Sequence, residues 1–173
     1  GSVQSEKITD VDKKEKEIIY VGRLDFVQKR VYRVIDTWNY LEERFPDWRL
    51  TIVGDGEDRE NLENHVSCLG LKRVSFEGFQ NPLNYYKRAS MLLLTSDFEG
   101  FGLVIIEAKA NGVPTISTNW GDGVFEVIHD KKDGFVENTV EDIVNRTVEL
   151  MNDKDLLINI SNNALSNFDE YSK

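Results

Sequence analysis

Short apolar runs alternate along the chain with longer stretches whose apolar residues recur every three or four positions. Six runs predict strands, and they lie at residues 18–21, 50–53, 74–76, 91–94, 115–117 and 134–136. The fourth run is Met-Leu-Leu-Leu with no polar alternation, which predicts a strand buried on both faces.

The stretches between these runs predict helices. The first carries Val31, Val34, Ile35, Trp38 and Leu41 at helical spacing, and the second ends at Gly70. Further helices are predicted from Pro82 through Ala89, over about residues 102–110, near residues 124–128, and twice at the C-terminal end. Because parallel strands need crossover helices, the pattern predicts an α/β fold with a doubly wound, Rossmann-like parallel sheet.

Composition narrows the class of protein. A chain of 173 residues with 40% hydrophobic and 30% charged residues suits a single domain of ordinary globular type. Its apolar runs are too short to span a bilayer. The formal charge of −10 argues against nucleic acid or an anionic membrane as the main partner of this segment. Any phosphate that binds must therefore be held locally.

The single cysteine and the N-terminal residues bear on the cellular compartment and on the bounds of the domain. Cys68 is alone, so no internal disulfide forms, and with no signal peptide before the first strand this favours a reducing cytoplasm. Gly1-Ser2 resembles an expression scar. We assign residues 1–16 to a tag remnant and linker, and residues 17–173 to the domain.

Glycine-containing segments follow most of the predicted strands, where a doubly wound sheet binds its ligands. Glycine lets a ligand approach the backbone closely, so these segments are expected to line one crevice. They are Gly22-Arg23, Gly54-Asp55-Gly56, Gly78-Phe79-Gln80, Ser96 to Gly102 and Asn119 to Gly123.

One motif dominates these segments. It reads Glu99-Gly-Phe-Gly-Leu-Val-Ile-Ile-Glu107, and Gly112-Val113-Pro114 follows it. Supporting segments occur in order along the chain: Val21-Gly22-Arg23-Leu24 with a lysine shortly after, Val53-Gly54-Asp55-Gly56, Phe76-Glu77-Gly78, Tyr85-Tyr86 to Ala89, and Glu126-Val127-Ile128. Together they resemble the C-terminal, nucleotide-sugar-binding half of retaining GT-B glycosyltransferases of the bacterial surface-polysaccharide type, over about residues 18–136.

The resemblance implies a donor site. A helix that begins near Gly102 offers free N–H groups to a diphosphate, with the backbone of Phe101 and Leu103 beside it. Glu99 is expected to accept hydrogen bonds from the donor sugar and Glu107 from the ribose, because ionised carboxylates accept from diols.

Arg23 and Lys29 are expected to offset the charge of the leaving nucleotide. Gly22, Gly54 and Gly56 complete the predicted donor-binding residues. The resemblance further implies a UDP-linked sugar donor, no metal ion, no other cofactor and retention of the anomeric configuration.

Several residues have alternative explanations. Glu99 and Glu107 also suit a solvated loop and the first turn of a helix. Arg30 competes with Lys29, because the stretch before Lys29 is one residue longer than the commonest version in the family. Trp120 lies in a crevice loop, where core packing and sugar contact are both open. His65 and His129 are not expected to be catalytic.

The resemblance also implies a second, N-terminal domain that binds a glycan or lipid-linked acceptor, and peripheral membrane contact of the full enzyme. We therefore expect the present domain to bind a nucleotide sugar without turning it over. Two other classes of protein remain open. One is a nucleotide-sugar epimerase of similar architecture, and the other is a receiver-like module with Asp25 and Asp97 as its acidic residues.

Overall fold

All six predicted strands form, and they pair in parallel. The computed structural model describes residues 10–167. The strands are β1 (Glu17–Val21), β2 (Arg49–Val53), β3 (Val74–Gly78), β4 (Met91–Leu94), β5 (Thr115–Thr118) and β6 (Phe135–Glu137). Their order is β3-β2-β1-β4-β5-β6, the doubly wound arrangement in which the chain reverses its direction of growth between β1 and β4. The predicted fold class is confirmed.

Helices connect the strands as the periodicity predicts. They are α1 (Tyr32–Asn39), α2 (Arg59–Leu69), α3 (Leu83–Arg88), α4 (Leu103–Lys109), α5 (Val124–Val127), α6 (Val140–Asn152) and α7 (Lys154–Asn167). Gly70 ends α2 in the left-handed conformation, with φ +71°, as its position after the last apolar residue indicates. Pro82 is the residue that precedes the first turn of α3.

The hydrophobic core lies on both faces of the sheet. Along β1, Ile18 and Tyr20 belong to the larger cluster, while Ile19 and Val21 belong to a smaller one on the opposite face, because successive side chains of a strand point to opposite faces. All four residues of β4 are buried, which confirms the prediction for that strand.

The segment before β1 is held against the domain. A short 3-10 turn covers Val11–Lys13, and Val11 is only 8% exposed. Lys14 Nζ donates to the carbonyl oxygens of Tyr86 (2.6 Å), Lys87 (2.9 Å) and Asn111 (2.7 Å). The first two carbonyls belong to the last turn of α3, and the third lies just beyond the end of α4. A cation is favoured at such helix C-termini. Part of the segment that we assigned to a linker therefore fastens two helix ends.

Within residues 10–167, no helix is long and apolar enough to cross a membrane.

Substitutions of Lys14 test how much its three hydrogen bonds contribute to the stability of the domain. Lys14→Met leaves three carbonyls without their donor, so we expect the free energy of unfolding to fall by about 2 kcal/mol. Lys14→Arg, which keeps donors and charge, should lose less. Urea denaturation of both variants and the wild type measures the difference, and equal losses would argue against the attachment.

The same residue should make stability depend on pH. Burial lowers the pKa of Lys14 from 10.5 to about 8, so between these values the unfolded chain binds more protons at this residue. The unfolding free energy of wild type minus that of Lys14→Met should therefore rise as the pH goes from 8 to about 10.5. A difference that stays constant over this range would contradict the shift.

Candidate functional site at the carboxyl edge of the sheet

The loops after β1, β2 and β3 are joined to one another by backbone hydrogen bonds. Gly22 N donates to Val53 O at 3.0 Å, Gly54 N to Gly78 O at 2.8 Å, and Leu24 N to Asp55 O at 3.0 Å. These bonds form where the parallel strands end, which is the edge at which doubly wound sheets bind ligands.

Close packing explains why glycine occupies two of these positions. A Cβ atom on Gly54 would lie 1.8 Å from Gly22 O, and one on Gly56 would lie 2.3 Å from Leu24 O. Gly22 and Gly54 also have φ of +153° and +140°. The N–H groups of Gly22, Gly54 and Gly56 are already bonded, the last to Asp55 Oδ1 at 2.8 Å. These glycines therefore shape the crevice, and their contact with a ligand stays a prediction.

Two neighbouring cavities open beside these loops and share Pro82. One, of about 430 Å³, includes Gly22, Arg23, Gly54 and Phe79 in its lining. The other, of about 360 Å³, includes Tyr86 and Glu107. Phe79 is 89% exposed, so an aromatic face stands at the rim of the first cavity.

Glu107 lies on the exposed side of α4 and receives one hydrogen bond from a buried phenol. Tyr86 Oη donates to Glu107 Oε1 at 3.2 Å. Burial, and then the charge of Glu107, raise the pKa of Tyr86 well above its usual value, so the phenol stays protonated and keeps donating. The other oxygen of Glu107 remains available to hydroxyl donors.

Glu99 is paired with Lys29. Lys29 Nζ lies 2.8 Å from Oε1 and 2.7 Å from Oε2 of Glu99, and Ser96 Oγ donates to Oε2. The Glu99 side chain is 7% exposed and that of Lys29 is 18% exposed. Glu99 is therefore not a freely solvated loop acid, and two predicted site residues contact each other directly.

The backbone around this pair is held by further hydrogen bonds. The Asp25 carboxylate accepts from Gln28 N (3.0 Å) and Lys29 N (2.6 Å), which fixes the turn before Lys29. Thr118 Oγ1, at the end of β5, donates to Ser96 O at 2.7 Å. The loops after β1 and β4 and the last residue of β5 thus position one ion pair.

Arg23 extends from the β1 loop with its side chain 66% exposed. Its nearest acids are Asp25 and Glu57, both at 3.9 Å, so these contacts are loose and screened by solvent. Tyr20 Oη donates to Arg23 O at 2.7 Å and anchors the backbone beneath the guanidinium. The Arg23 side chain can therefore turn toward an anion in the crevice.

The competing basic residue, Arg30, has a different partner. Arg30 Nε lies 2.7 Å from Asp97 Oδ2, and Arg33 Nη1 lies 2.9 Å from Asp97 Oδ1. Desolvation raises the pKa of Asp97, but hydrogen bonds from the two arginines outweigh it and lower that pKa overall. Of the two candidates, Lys29 is the one that contacts Glu99.

The aspartates of the receiver hypothesis serve separate purposes. Asp25 holds the turn before Lys29, and Asp97 pairs with two arginines. Among residues 10–167, no group of three or more His, Cys, Asp or Glu side chains is arranged to hold a metal ion. The clustered acids that a receiver module needs are not assembled in this part of the chain.

Helix α4 begins where the sequence predicts. Gly102 precedes it with φ +67° and ψ +31°, and its carbonyl accepts from Ile105 N (3.0 Å) and Ile106 N (3.2 Å). A Cβ here would lie 3.0 Å from Val127 Cγ2. The N–H groups of Leu103 and Val104 precede the first intrahelical bond. Phe101 and Leu103 are 82% and 62% exposed.

Sequence reasoning missed a buried charge cluster at the other end of α4. Lys109 is fully buried, and its Nζ donates to Asp133 Oδ2 (2.8 Å) and Val127 O (3.1 Å). His129 Nδ1 lies 2.6 Å from Asp133 Oδ2. The signal was available, because Lys109 lies four positions after the buried Ile105 and therefore on the same face of α4.

Trp120 packs against the start of α4, since a Cβ on Gly102 would lie 3.5 Å from its ring, whereas the two histidines lie away from Glu99. Trp120 is 8% exposed and belongs to the larger core cluster, so core packing accounts for it. His65 Nε2 contacts Asp36 Oδ1 at 2.6 Å between α2 and α1. His129 contacts Asp133, which precedes β6 and so lies at the opposite edge of the sheet. Neither histidine stands beside Glu99.

Comparison with known proteins identifies the family of this chain. The chain matches the family "Glycosyl transferases group 1" over residues 4–167. It belongs to this family. An uncharacterized glycosyltransferase of Haemophilus influenzae is 34% identical over 160 residues, which cover 90% of this chain and 45% of that protein. Lipopolysaccharide 1,6-galactosyltransferase of Salmonella typhimurium is 34% identical over 134 residues, 73% of this chain and 37% of that protein.

Solved structures confirm the fold of a GT-B C-terminal domain. The C-terminal domain of the glycosyl transferase group 1 protein LpcC from Francisella tularensis superposes with a TM-score of 0.82 at 26% identity, covering 98% of this chain and 90% of that domain. Anabaena HepE in complex with UDP-glucose superposes with a TM-score of 0.81 at 25% identity, covering 90% of this chain and 44% of that protein. The group 1 domain described here thus spans less than half the length of the full-length relatives it matches.

The packing of the first two loops can be tested by one substitution and a matched control. Gly54→Ala forces a Cβ against Gly22 O, and we expect a loss of about 3 kcal/mol of unfolding free energy. Gly70→Ala adds a Cβ at φ +71° where no atom lies within 4 Å, so it should lose only about 1 kcal/mol. Equal losses in urea denaturation would exclude loop packing as the reason for glycine at position 54.

Proposed function

We propose that this domain binds the nucleotide-sugar donor of a retaining, metal-independent glycosyltransferase. The enzyme would transfer a hexose from a nucleoside diphosphate, UDP in our expectation, to a glycan or lipid-linked acceptor. One observation carries the proposal: the α4 start follows Glu99, which Lys29 contacts, and leads to Glu107, whose cavity shares Pro82 with the cavity lined by Arg23 and the β2 loop.

We assign the diphosphate of the donor to the start of α4. The N–H groups of Leu103 and Val104 offer two hydrogen bonds to phosphate oxygens at the α4 start. Arg23 and Lys29 supply positive charge for the phosphate as negative charge grows on the leaving nucleotide. Because two cations already serve this purpose, we propose a reaction that needs no divalent ion.

We assign the ribose and the sugar of the donor to the two glutamates, Glu107 and Glu99. Glu107 is exposed and keeps free acceptor capacity beside the bond from Tyr86, which suits the ribose diol. We assign the base to the neighbouring cavity that contains Phe79, since the two cavities share Pro82 and an exposed aromatic ring can stack on a base. Glu99, on the other side of the α4 start, would accept from the donor sugar.

The rest of the proposal depends on relatives. Retention of configuration is what the family resemblance implies. Acceptor binding is assigned to the part of the longer relatives that this domain does not match. The relatives named for lipopolysaccharide synthesis support a surface-glycan acceptor, and a cytoplasmic enzyme with peripheral membrane contact stays a prediction.

The role of Glu107 can be measured with nucleotides that differ in their ribose. Isothermal titration with UDP, GDP and ADP and their sugars should first identify the preferred base. Removing the 2′-hydroxyl from that diphosphate should then weaken wild-type binding about tenfold, the effect of one hydrogen bond to a charged group. Glu107→Ala should bind both forms equally. A wild-type protein that ignores the 2′-hydroxyl would leave Glu107 without the proposed role.

The role of Arg23 can be separated from general charge effects. Arg23→Ala should weaken the diphosphate about tenfold and the monophosphate less, because a charge-assisted bond to the second phosphate is lost. Arg44→Ala makes the same change of charge at an exposed position in the turn that follows α1 and should bind like wild type. Equal binding by all three proteins would remove the support for this phosphate site.

A further inference from the structure

Two residues that the proposed function assigns to different parts of the donor are partners of each other in the unliganded domain. Lys29 Nζ contacts both oxygens of Glu99, at 2.8 and 2.7 Å. Ser96 Oγ takes a further acceptor position on Oε2. Glu99, the proposed acceptor for the sugar hydroxyls, is therefore already paired with Lys29, the proposed cation for the diphosphate.

The two partners differ in how easily they can move. Glu99 is 7% exposed and is also held by Ser96, whose own carbonyl is fixed by Thr118. The Lys29 backbone is fixed by Asp25, but its ammonium stands at the end of a flexible four-carbon stem and is more exposed, at 18%. A change of partner therefore needs only rotation of the lysine side chain.

Charge balance favours this change when an anion arrives. Three carboxylates, those of Asp25, Glu57 and Glu99, lie within 3.9 Å of the two cations, Arg23 and Lys29. Asp25 and Glu99 help to raise the pKa of Tyr20, after the larger effect of its burial, so they act on one place beneath Arg23. The entering diphosphate brings further negative charge to a region that has no surplus positive charge.

We propose that the diphosphate and Glu99 compete for Lys29. When Lys29 turns to the diphosphate, the Glu99 carboxylate loses its cation and becomes the acceptor for the sugar hydroxyls. This inference rests on the proposed function and adds a coupling to it. The nucleotide and the sugar then bind cooperatively, and by linkage each strengthens the other's binding equally. Without nucleotide, Glu99 stays masked.

A double-mutant cycle tests the competition. The ligand is whichever of UDP, GDP and ADP binds the wild type best, without a sugar. Glu99→Gln releases Lys29 in advance, so it should bind this diphosphate roughly threefold to tenfold more tightly than wild type. In the Lys29→Met background, the same Glu99→Gln change should alter the affinity less than twofold.

Comparing the effect of Glu99→Gln with and without Lys29 distinguishes competition from simple electrostatic repulsion. If Glu99 only repelled the phosphate, Glu99→Gln would help equally with Lys29 and without it. Glu60→Gln removes one exposed charge from the first turn of α2 at the same edge and should have no effect in either background. Glu99→Ala removes the same charge as Glu99→Gln and must show the same gain, so a folding defect in one variant does not decide the result.

The outcomes distinguish the coupling from the function beneath it. Nucleotide binding by wild type, with no gain in Glu99→Gln or an equal gain in both backgrounds, overturns the competition and leaves the proposed function standing. If wild type binds none of the three diphosphates, the proposed function fails and the competition falls with it.

Discussion

Backbone contact between the loops after β1 and β2 determines the shape of the crevice on which the other features depend. The Gly22 carbonyl occupies the space where any other residue at position 54 would place its Cβ. This contact brings the ends of two parallel strands together without side chains between them. Arg23 then leaves the β1 loop at a fixed point, supported by the Tyr20 hydroxyl, and the cavity lined by Gly54 and Phe79 opens beside it.

Three carboxylates of the crevice have hydrogen-bond partners before any ligand arrives. Glu99 has Lys29 and Ser96, Glu107 has Tyr86, and Asp25 has two backbone N–H groups. This follows from the cost of leaving buried charges and hydrogen-bonding groups without partners. A ligand at this edge therefore exchanges partners, and its affinity depends on which existing bonds it replaces. In the unliganded domain Lys29 offsets the charge of Glu99.

Helix α4 is central to this arrangement, and two lysines, the half-buried Lys14 and the fully buried Lys109, hold its far end. Lys14 donates to Asn111 O just beyond the helix, and Lys109 donates to Val127 O and Asp133 from its last turn. One lysine comes from the segment before β1 and the other from α4 itself. Cations are favoured at helix C-termini, so these bonds fix the C-terminal end of α4. Glu107 and the free N–H groups of the first turn are thereby kept in place.

The sequence by itself determined the elements, the doubly wound class of the sheet and the edge at which the candidate residues lie. Apolar runs such as Met91–Leu94 and helical periodicities such as that of α1 are local patterns, and local patterns are readable along a chain. The motif from Glu99 to Glu107 and the glycine after each of several strands also located the candidate residues. Only the tertiary structure decided their partners. The Lys29 contact with Glu99 joins residues 70 positions apart, the Arg30 contact with Asp97 joins residues 67 apart, and Trp120 entered the core from a loop. Such pairings depend on which strand ends become neighbours in the folded sheet, and nothing in the local sequence around either partner specifies that.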